Sequence, residues 1–381
     1  MRIAVDARPL AFPGTGNATY LYQMLRQLMR TRPDDDWVLL SHRGIHPTYT
    51  ELLQKSNVML LVDRHLAARL GPLWMHLRVP ALLREQSCDL FWATLSMLPL
   101  GYRRRASIPA IVNFHDLNAF IAPETMVTWN RWQHRLLDHR SLLAAERVLC
   151  LSATTRADIV RVFPDVDEKR LTVVYPGTEP AGIEARAPAG PVGKLEALIL
   201  CVGTLEPRKN QATVLEAYLQ ASSNSVMLPL VFVGRYFEGW GDASLVRKLQ
   251  SGELEKQGVF FLENSSAAEL QWCYEKAALF VLASRHEGFG LPVIEAYSNG
   301  CPALLSDIPI FREIGSNAVF VPPHDTSAWA RALQEFNRSH QEGRAPKPEF
   351  NADLWSWEKR AELLASVIDE TGSQPMQAKV S

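Results

Sequence analysis

The sequence predicts an α/β protein made of two Rossmann-like domains that face each other across a cleft. Three observations predict it. At 381 residues the chain has the length of two ordinary domains. Short apolar runs with strand character alternate with helical patterns from end to end, as in parallel sheets covered by helices. Between Ala181 and Gly193 the pattern lapses into an aperiodic stretch rich in Ala, Pro and Gly, and it restarts beyond it. The expected boundaries are 1–181 for the first domain, 182–195 for a linker and 196–354 for the second domain.

In the first domain, strands are expected at Arg2–Asp6, Trp37–Ser41, Val58–Leu61, Leu90–Ala93, Ala110–Phe114, Arg147–Leu151 and Leu171–Val174. Each is a short apolar run suited to a buried strand. Helices fill the gaps, most clearly at Tyr20–Thr31 and Ala153–Val162. In the second domain, strands are expected at Ala197–Val202, Leu230–Val233, Val259–Leu262, Leu279–Leu282, Pro302–Leu305 and Val319–Val321. Helices are expected at Gln211–Ser222, Ser244–Ser251, Ala267–Lys276, Val293–Asn299 and Ser327–Ser339, with a last one over Trp355–Asp369. The polar tail from Thr371 is expected to be disordered.

Composition narrows the function. No apolar run approaches the length of a membrane span, and the N-terminus runs straight into a strand without signal-peptide character. Five scattered cysteines without CxxC spacing suit a reducing compartment and argue against a zinc site, so the chain is expected to be cytoplasmic. Residues 1–181 hold 22 basic and 17 acidic side chains, net +5, and the remainder holds 18 and 24, net −6. A basic first half could face an anionic partner, but no nucleic-acid-reading motif is present.

Four stretches carry chemistry. Glu287-Gly-Phe-Gly-Leu-Pro-Val-Ile-Glu295 follows an apolar strand and sets two carboxylates eight positions apart across a Gly-rich turn. Pro292 suits a first helical turn and Gly300 a helix end. The backbone N–H groups of Phe289, Gly290 and Leu291 would then sit at a helix start, where an anion is favoured. Carboxylates beside such a site are strong acceptors for sugar hydroxyls, so the layout suggests a nucleotide sugar. Leu200-Cys-Val-Gly203-Thr204-Leu-Glu-Pro-Arg208-Lys209-Asn210 follows another strand and places two cations in one loop, where Arg can bind two phosphate oxygens and Lys acts as a point charge. Phe114-His115-Asp116-Leu117 puts a histidine at a strand end, able to bond a sugar hydroxyl or to steady charge at a reacting centre. Asp6 to Tyr20, with Gly14 and Gly16, forms a loop open to close backbone approach that is neither a GxGxxG fingerprint nor a P-loop.

Together these stretches resemble the retaining glycosyltransferases of the two-Rossmann-domain (GT-B) architecture, specifically the large family 4. Smaller echoes at Leu151–Arg156, Tyr175–Gly177, Phe232–Arg235, Phe261–Ser265 and Ser306–Gly315 extend the likeness over residues 1 to about 361. The resemblance implies that Arg208 and Lys209 hold the donor diphosphate and stabilise charge on the leaving group. It implies that Glu287, with the Gly288, Phe289, Gly290 and Leu291 backbone, grips the sugar, that Glu295 takes the ribose hydroxyls, and that Gly203, Thr204, Gly16 and Ser265 also border the donor. His115 would lie close to the donor sugar, Gly14 and Asn17 would serve the acceptor side, and the helix near 355–369 would cross back onto the first domain. Retention at the anomeric carbon follows from the family, and no metal is expected in catalysis, the two cations supplying that charge.

Within the family, the Asp6-Ala-Arg-Pro-Leu10 start and the 203–210 loop are most similar to bacterial mannosyl- and D-rhamnosyltransferases of O-antigen assembly. That likeness implies GDP-mannose, or GDP-D-rhamnose, as donor and an undecaprenyl-diphosphate-linked glycan as acceptor. A catalytically silent scaffold of the same architecture and a nucleotide-sugar epimerase are the readings from other classes. Asp34-Asp35-Asp36 and Asp165-Val-Asp167 share the Asp-x-Asp pattern of metal-dependent transferases, but they fall in helix-to-strand loops and read as solvated turns. A basic, aromatic stretch (Arg64, His65, Arg69, Trp74, His76, Arg78 and Arg84, then Arg103-Arg104-Arg105) reads either as core packing with solvated arginines or as an amphipathic surface resting on the inner membrane.

Overall fold

The computed structural model describes residues 1–64, 72–105, 107–178, 183–223, 225–236 and 243–373. The chain divides into two compact units, Met1–Gly177 with the stretch from Trp355, and Thr178–Leu354.

In the first unit β1 (Arg2–Asp6), β2 (Asp36–Ser41), β3 (Val58–Val62), β4 (Leu90–Ala93), β5 (Ala110–Phe114), β6 (Arg147–Cys150) and β7 (Leu171–Val173) form one sheet in the order β3-β2-β1-β4-β5-β6-β7. Every pairing is parallel. All residues of β4 and β5 are buried, because helices cover both faces of the sheet and leave no polar side to alternate with. The helices here are α1 (Gly16–Thr31), α2 (Pro72–Leu77), α3 (Val79–Glu85), α4 (Asn118–Ile121), α5 (Thr128–Ala144) and α6 (Ala153–Val162).

The structure decides three expectations in this unit. Helix α1 begins at Gly16 rather than Tyr20, because Thr15 Oγ1 accepts from the Ala18 N–H at 3.3 Å and caps a turn that the sequence reading assigned to the loop. In the basic stretch, His65 and Arg69 lie outside the described residues, and of the two readings core packing holds: Trp74 and His76 stand on α2 and Arg84 on α3, two short helices rather than one amphipathic surface helix. Trp74, Met75, Val79, Leu82 and Leu83 are core, the Trp74 indole donates to Asp63 at 2.9 Å, and Arg78 pairs with the same carboxylate at 3.1 Å. Asp35 is buried rather than solvated, held by the N-terminal amine at 2.7 Å and by Arg32 at 2.5 Å.

In the second unit β8 (Leu198–Val202), β9 (Leu230–Gly234), β10 (Val259–Glu263), β11 (Ala277–Leu282), β12 (Ala303–Ser306) and β13 (Val319–Val321) give a parallel sheet in the order β10-β9-β8-β11-β12-β13. Its helices are α7 (Gln211–Ser222), α8 (Ala243–Gln250), α9 (Ala267–Lys276), α10 (Leu291–Ser298), α11 (Pro309–Ile314) and α12 (Thr326–Gln341). Residues 183–195, expected as part of a linker, group with this unit: Val192 is buried and the Arg186 N–H donates to the Ala268 carbonyl at 3.0 Å.

The last helix, α13 (Trp357–Gly372), belongs to the first unit and packs along α1, with ion pairs Arg30–Glu358 at 2.5 Å and Arg32–Asp369 at 2.8 Å. The tail expected to be disordered lies, from residue 374, outside the described residues.

Each sheet changes direction once, between β1 and β4 and between β8 and β11. The loops leaving two adjacent strands diverge at such a point and open a crevice at their carboxyl ends. The loops after β8 and β11 carry the 203–210 and 284–290 stretches, so the topology brings together two segments that are some eighty positions apart in sequence.

Candidate active site

In the second unit the two loops are stitched by a polar network. The Arg208 guanidinium donates to Glu287 Oε2 at 2.5 Å and to the His286 carbonyl at 3.0 Å, and its other nitrogen reaches Glu206 at 2.6 Å. Lys209 Nζ donates to Glu287 Oε1 at 2.5 Å, and Ser284 Oγ donates to the same oxygen at 2.7 Å. The Arg285 N–H donates to the Arg208 carbonyl at 2.9 Å. Asn210, in the left-handed region at φ 56°, donates to the carbonyls of Ala283 and Pro323 at 3.0 and 2.7 Å, which ties the cationic loop to the end of β11.

Glu287 is therefore a buried carboxylate between two cations. Burial would push its carboxyl up, but the charges of Arg208 and Lys209, with hydrogen bonds from Lys209 and Ser284, bring it down to about 2. Its ionised oxygens are already engaged, so the role expected for it, gripping a sugar directly, competes with its hold on the two cations. Lys209 carries three N–H donors, of which the Glu287 bond takes one, so the ammonium can bridge this carboxylate and a phosphate oxygen.

Helix α10 starts at Leu291, with Gly290 as its cap at φ 98° and Pro292 in its first turn. A side chain at position 290 would meet the Phe311 ring at 2.9 Å, so both the conformation and the space demand glycine. At the other end Gly300 takes φ 71°, and the Gly300 and Cys301 N–H groups close back on the carbonyls of Tyr297 and Ala296 at 2.9 Å each. Phe289 is buried and Gly288 half-buried beside the network.

Glu295 is half-buried on α10 and accepts from the Tyr274 hydroxyl at 2.7 Å. Burial raises its carboxyl above the ordinary range, and the tyrosine bond only partly offsets this. Hydroxyl donors from a ligand would relieve the same penalty. Gly203 turns the chain after β8, its N–H on the Val233 carbonyl at 2.9 Å, and the Thr204 carbonyl accepts from Gln211 at 2.8 Å. Ser265 is half-buried beside Ser266, which caps α9 in a reciprocal capping box with Glu269.

In the first unit His115 follows β5. Its Nε2 lies 2.7 Å from the Thr94 carbonyl, which can only accept, so Nε2 carries the proton and Nδ1 the lone pair. Nδ1 is buried with no hydrogen-bond partner. Burial lowers the ring's pKa, more than the Thr94 bond and the Asp116 charge raise it. This histidine is a neutral acceptor suited to a hydroxyl, not a cation suited to a developing anion. Asp116 Oδ1 accepts from the Asn118 N–H at 3.0 Å and caps a turn. At the end of β1, Arg8 binds both oxygens of the buried Asp6 at 2.7 and 2.8 Å, and Thr94 Oγ1 donates to the Asp6 carbonyl at 2.6 Å. Gly14, Gly16 and Asn17 are exposed at and just before the start of α1.

The sequence reading missed Ser284, Tyr274 and Thr94 as supports. Ser284 stands three residues before Glu287 at the end of an apolar run, a signal that was there to be used. Tyr274 and Thr94 come from other elements and carry no local mark. Among the described residues no group of three His, Cys, Asp or Glu side chains is arranged to hold a metal, and no helix is long and apolar enough to cross a membrane.

Comparison with known proteins bears on the family and the fold. Residues 186–347 match the family model described as glycosyl transferases group 1, and residues 14–181 match that of Glycosyltransferase Family 4. The chain belongs to glycosyltransferase family 4. Among relatives of this glycosyltransferase, the O-antigen chain mannosyltransferase B of Escherichia coli is 28% identical over 94% of this chain and 97% of that protein. The O-antigen chain mannosyltransferase RfbU of Salmonella typhimurium is 28% identical over 88% and 90%. Among solved structures, HepE of Anabaena in complex with UDP and glucose superposes with a TM-score of 0.68 at 16% identity, covering 97% of this glycosyltransferase and all of that chain. The lipopolysaccharide outer core galactosyltransferase WaaB gives 0.61 at 15% identity, covering 97% and 99%. These likenesses place the fold among the GT-B glycosyltransferases.

Proposed function

We propose that this glycosyltransferase moves mannose from GDP-mannose, with retention at the anomeric carbon and without a metal ion, to an undecaprenyl-diphosphate-linked glycan in O-antigen assembly. The second unit holds the nucleotide diphosphate. Arg208 and Lys209 bear the charge that grows on the departing phosphate, a pre-organised electrostatic role. Glu287, fixed by Ser284, holds both cations in place and presents what acceptor capacity remains to the sugar. Glu295 takes the ribose hydroxyls, with Tyr274 setting its orientation. His115 offers the Nδ1 lone pair to a sugar hydroxyl, and the Gly14–Asn17 segment serves the acceptor.

The observation that carries the reading is the convergence of Arg208, Lys209 and Glu287 from two separate loops beside the start of α10. The near full-length likeness to two O-antigen chain mannosyltransferases supports mannose as the sugar and an O-antigen chain as its destination. The test is transfer from labelled GDP-mannose, set against UDP- and ADP-sugars, to a lipid-linked acceptor, with the new linkage read by NMR. An α-mannoside is expected. Transfer only from a UDP-sugar would overturn the donor, a β-linkage would overturn retention, and conversion of donor alone to an isomer would make the protein an epimerase.

A further inference from the structure

Helix α5 carries an apolar stripe that the reaction does not use. Trp129, Trp132, Leu136 and Leu143 are 67, 54, 70 and 41% exposed, at a spacing of three, four and seven residues that keeps them on one side of the helix. The opposite side, with Asp138, Ser141 and Leu142, is buried against the first unit. From Trp129 to Leu143 the stripe runs about 21 Å along the surface. Towards its carboxyl end lies an open depression of about 540 Å³, lined by Arg103, Arg104, Arg135 and Arg140 with Leu136 and Leu143. Among the described residues none of these four arginines is ion-paired to a carboxylate, and the nearby acid Asp165 is taken by His139 at 2.9 Å.

The geometry points to a docking surface for an anionic lipid bilayer on this face of the first unit. Two exposed tryptophans belong at the depth of lipid headgroups, where the ring sits in the apolar boundary and the indole N–H stays wet. Unpaired arginines beside them meet the negative surface potential of anionic lipids, and a helix with this division lies flat in the interface. A second copy of the chain fits the same face poorly, since self-association would set arginines against arginines. The binding is independent of which sugar is transferred and is read without any transfer assay, so failure of the donor reading leaves it standing.

The experiment is co-sedimentation of the full chain with vesicles of phosphatidylcholine alone and of equimolar phosphatidylcholine and phosphatidylglycerol. Binding is expected to the second kind only and to weaken with salt. It should fall about tenfold or more in Trp129→Ala/Trp132→Ala and in Arg103→Glu/Arg104→Glu/Arg140→Glu. In case those variants lose their fold, brominated lipid should quench part of the wild-type tryptophan emission, and Trp129→Phe/Trp132→Phe should abolish that part. Absence of binding, equal binding to both vesicles, or binding and quenching unchanged in the variants would overturn the proposal. Concentration-dependent dimers that the stripe substitutions dissolve, without vesicle binding, would overturn it too.

Discussion

Glu287 stands between two cations, and that position makes the residue testable by pH as well as by activity. Its carboxyl is held at about 2 against 4.5 for an ordinary glutamate. A depressed carboxyl stabilises the fold above the ordinary value, and the contribution is lost as pH falls from 4.5 towards 2. We therefore expect Glu287→Gln to cost up to about 3 kcal/mol at neutral pH. Its deficit against wild type in denaturant titrations should shrink across that window. Removing the side chain altogether takes away the carboxylate that Arg208 and Lys209 share, so Glu287→Ala should lower transfer about a hundredfold or more. It should also be partly restabilised by GDP in a thermal-shift assay, because phosphate replaces the missing anion; no restabilisation would argue against a diphosphate at Arg208 and Lys209. Glu295 runs the other way. A raised carboxyl loses stability as pH rises through the range just above 4.5, and Glu295→Gln should remove that loss. If Glu295 takes the ribose, 2′,3′-dideoxy-GDP should bind wild type more weakly than GDP, and Glu295→Gln should bind the two alike.

At the scale of elements, α10 offers a controlled comparison, since a glycine stands at each end. Gly290 takes φ 98° with an aromatic ring 2.9 Å from where a side chain would begin, whereas Gly300 takes φ 71° with open space around it. Gly300→Ala is expected to cost about 1 kcal/mol from backbone strain alone and to leave nucleotide affinity unchanged. Gly290→Ala should cost more than that and also weaken GDP binding, because the shift displaces the first turn of α10 and the loop that carries Glu287. Calorimetric titration of GDP with both variants decides it; equal affinities would detach the α10 start from the donor site. The same scale explains why α5 escaped notice in the sequence. Its arginines, histidines and tryptophans blur any single apolar face, and only the packing of Asp138 and Ser141 inward shows which side is out.

For the whole molecule, two switch-point sheets each set side by side loops from strands distant in sequence. A charge quartet of Glu206, Arg208, Lys209 and Glu287 supplies fixed positive groups next to carboxylates, so the chemistry proposed does not call for a divalent ion. Transfer should survive EDTA; complete loss restored by manganese would mean that the cations of the 203–210 loop do not carry the leaving-group charge.

The sequence by itself determined the alternation of strands and helices, and with it both parallel sheets, because a strand buried on two faces must be written as an unbroken apolar run. It also marked Arg208, Lys209, His115 and the 287–295 segment, since glycines and charges at strand ends have no place in a core. What only the tertiary structure decided is who meets whom. Glu287 is spent on Arg208 and Lys209, Tyr274 reaches Glu295 from α9, and Thr94 fixes the His115 tautomer from the neighbouring strand. Trp74, which the sequence left open between core and surface, goes into the core, while among the described residues the exposed tryptophans are Trp129 and Trp132 of α5. Local pattern encodes which face of an element is apolar, but ion pairs, tautomers and exposure arise from residues far apart in the chain, and these are fixed only when the sheet order sets its loops side by side.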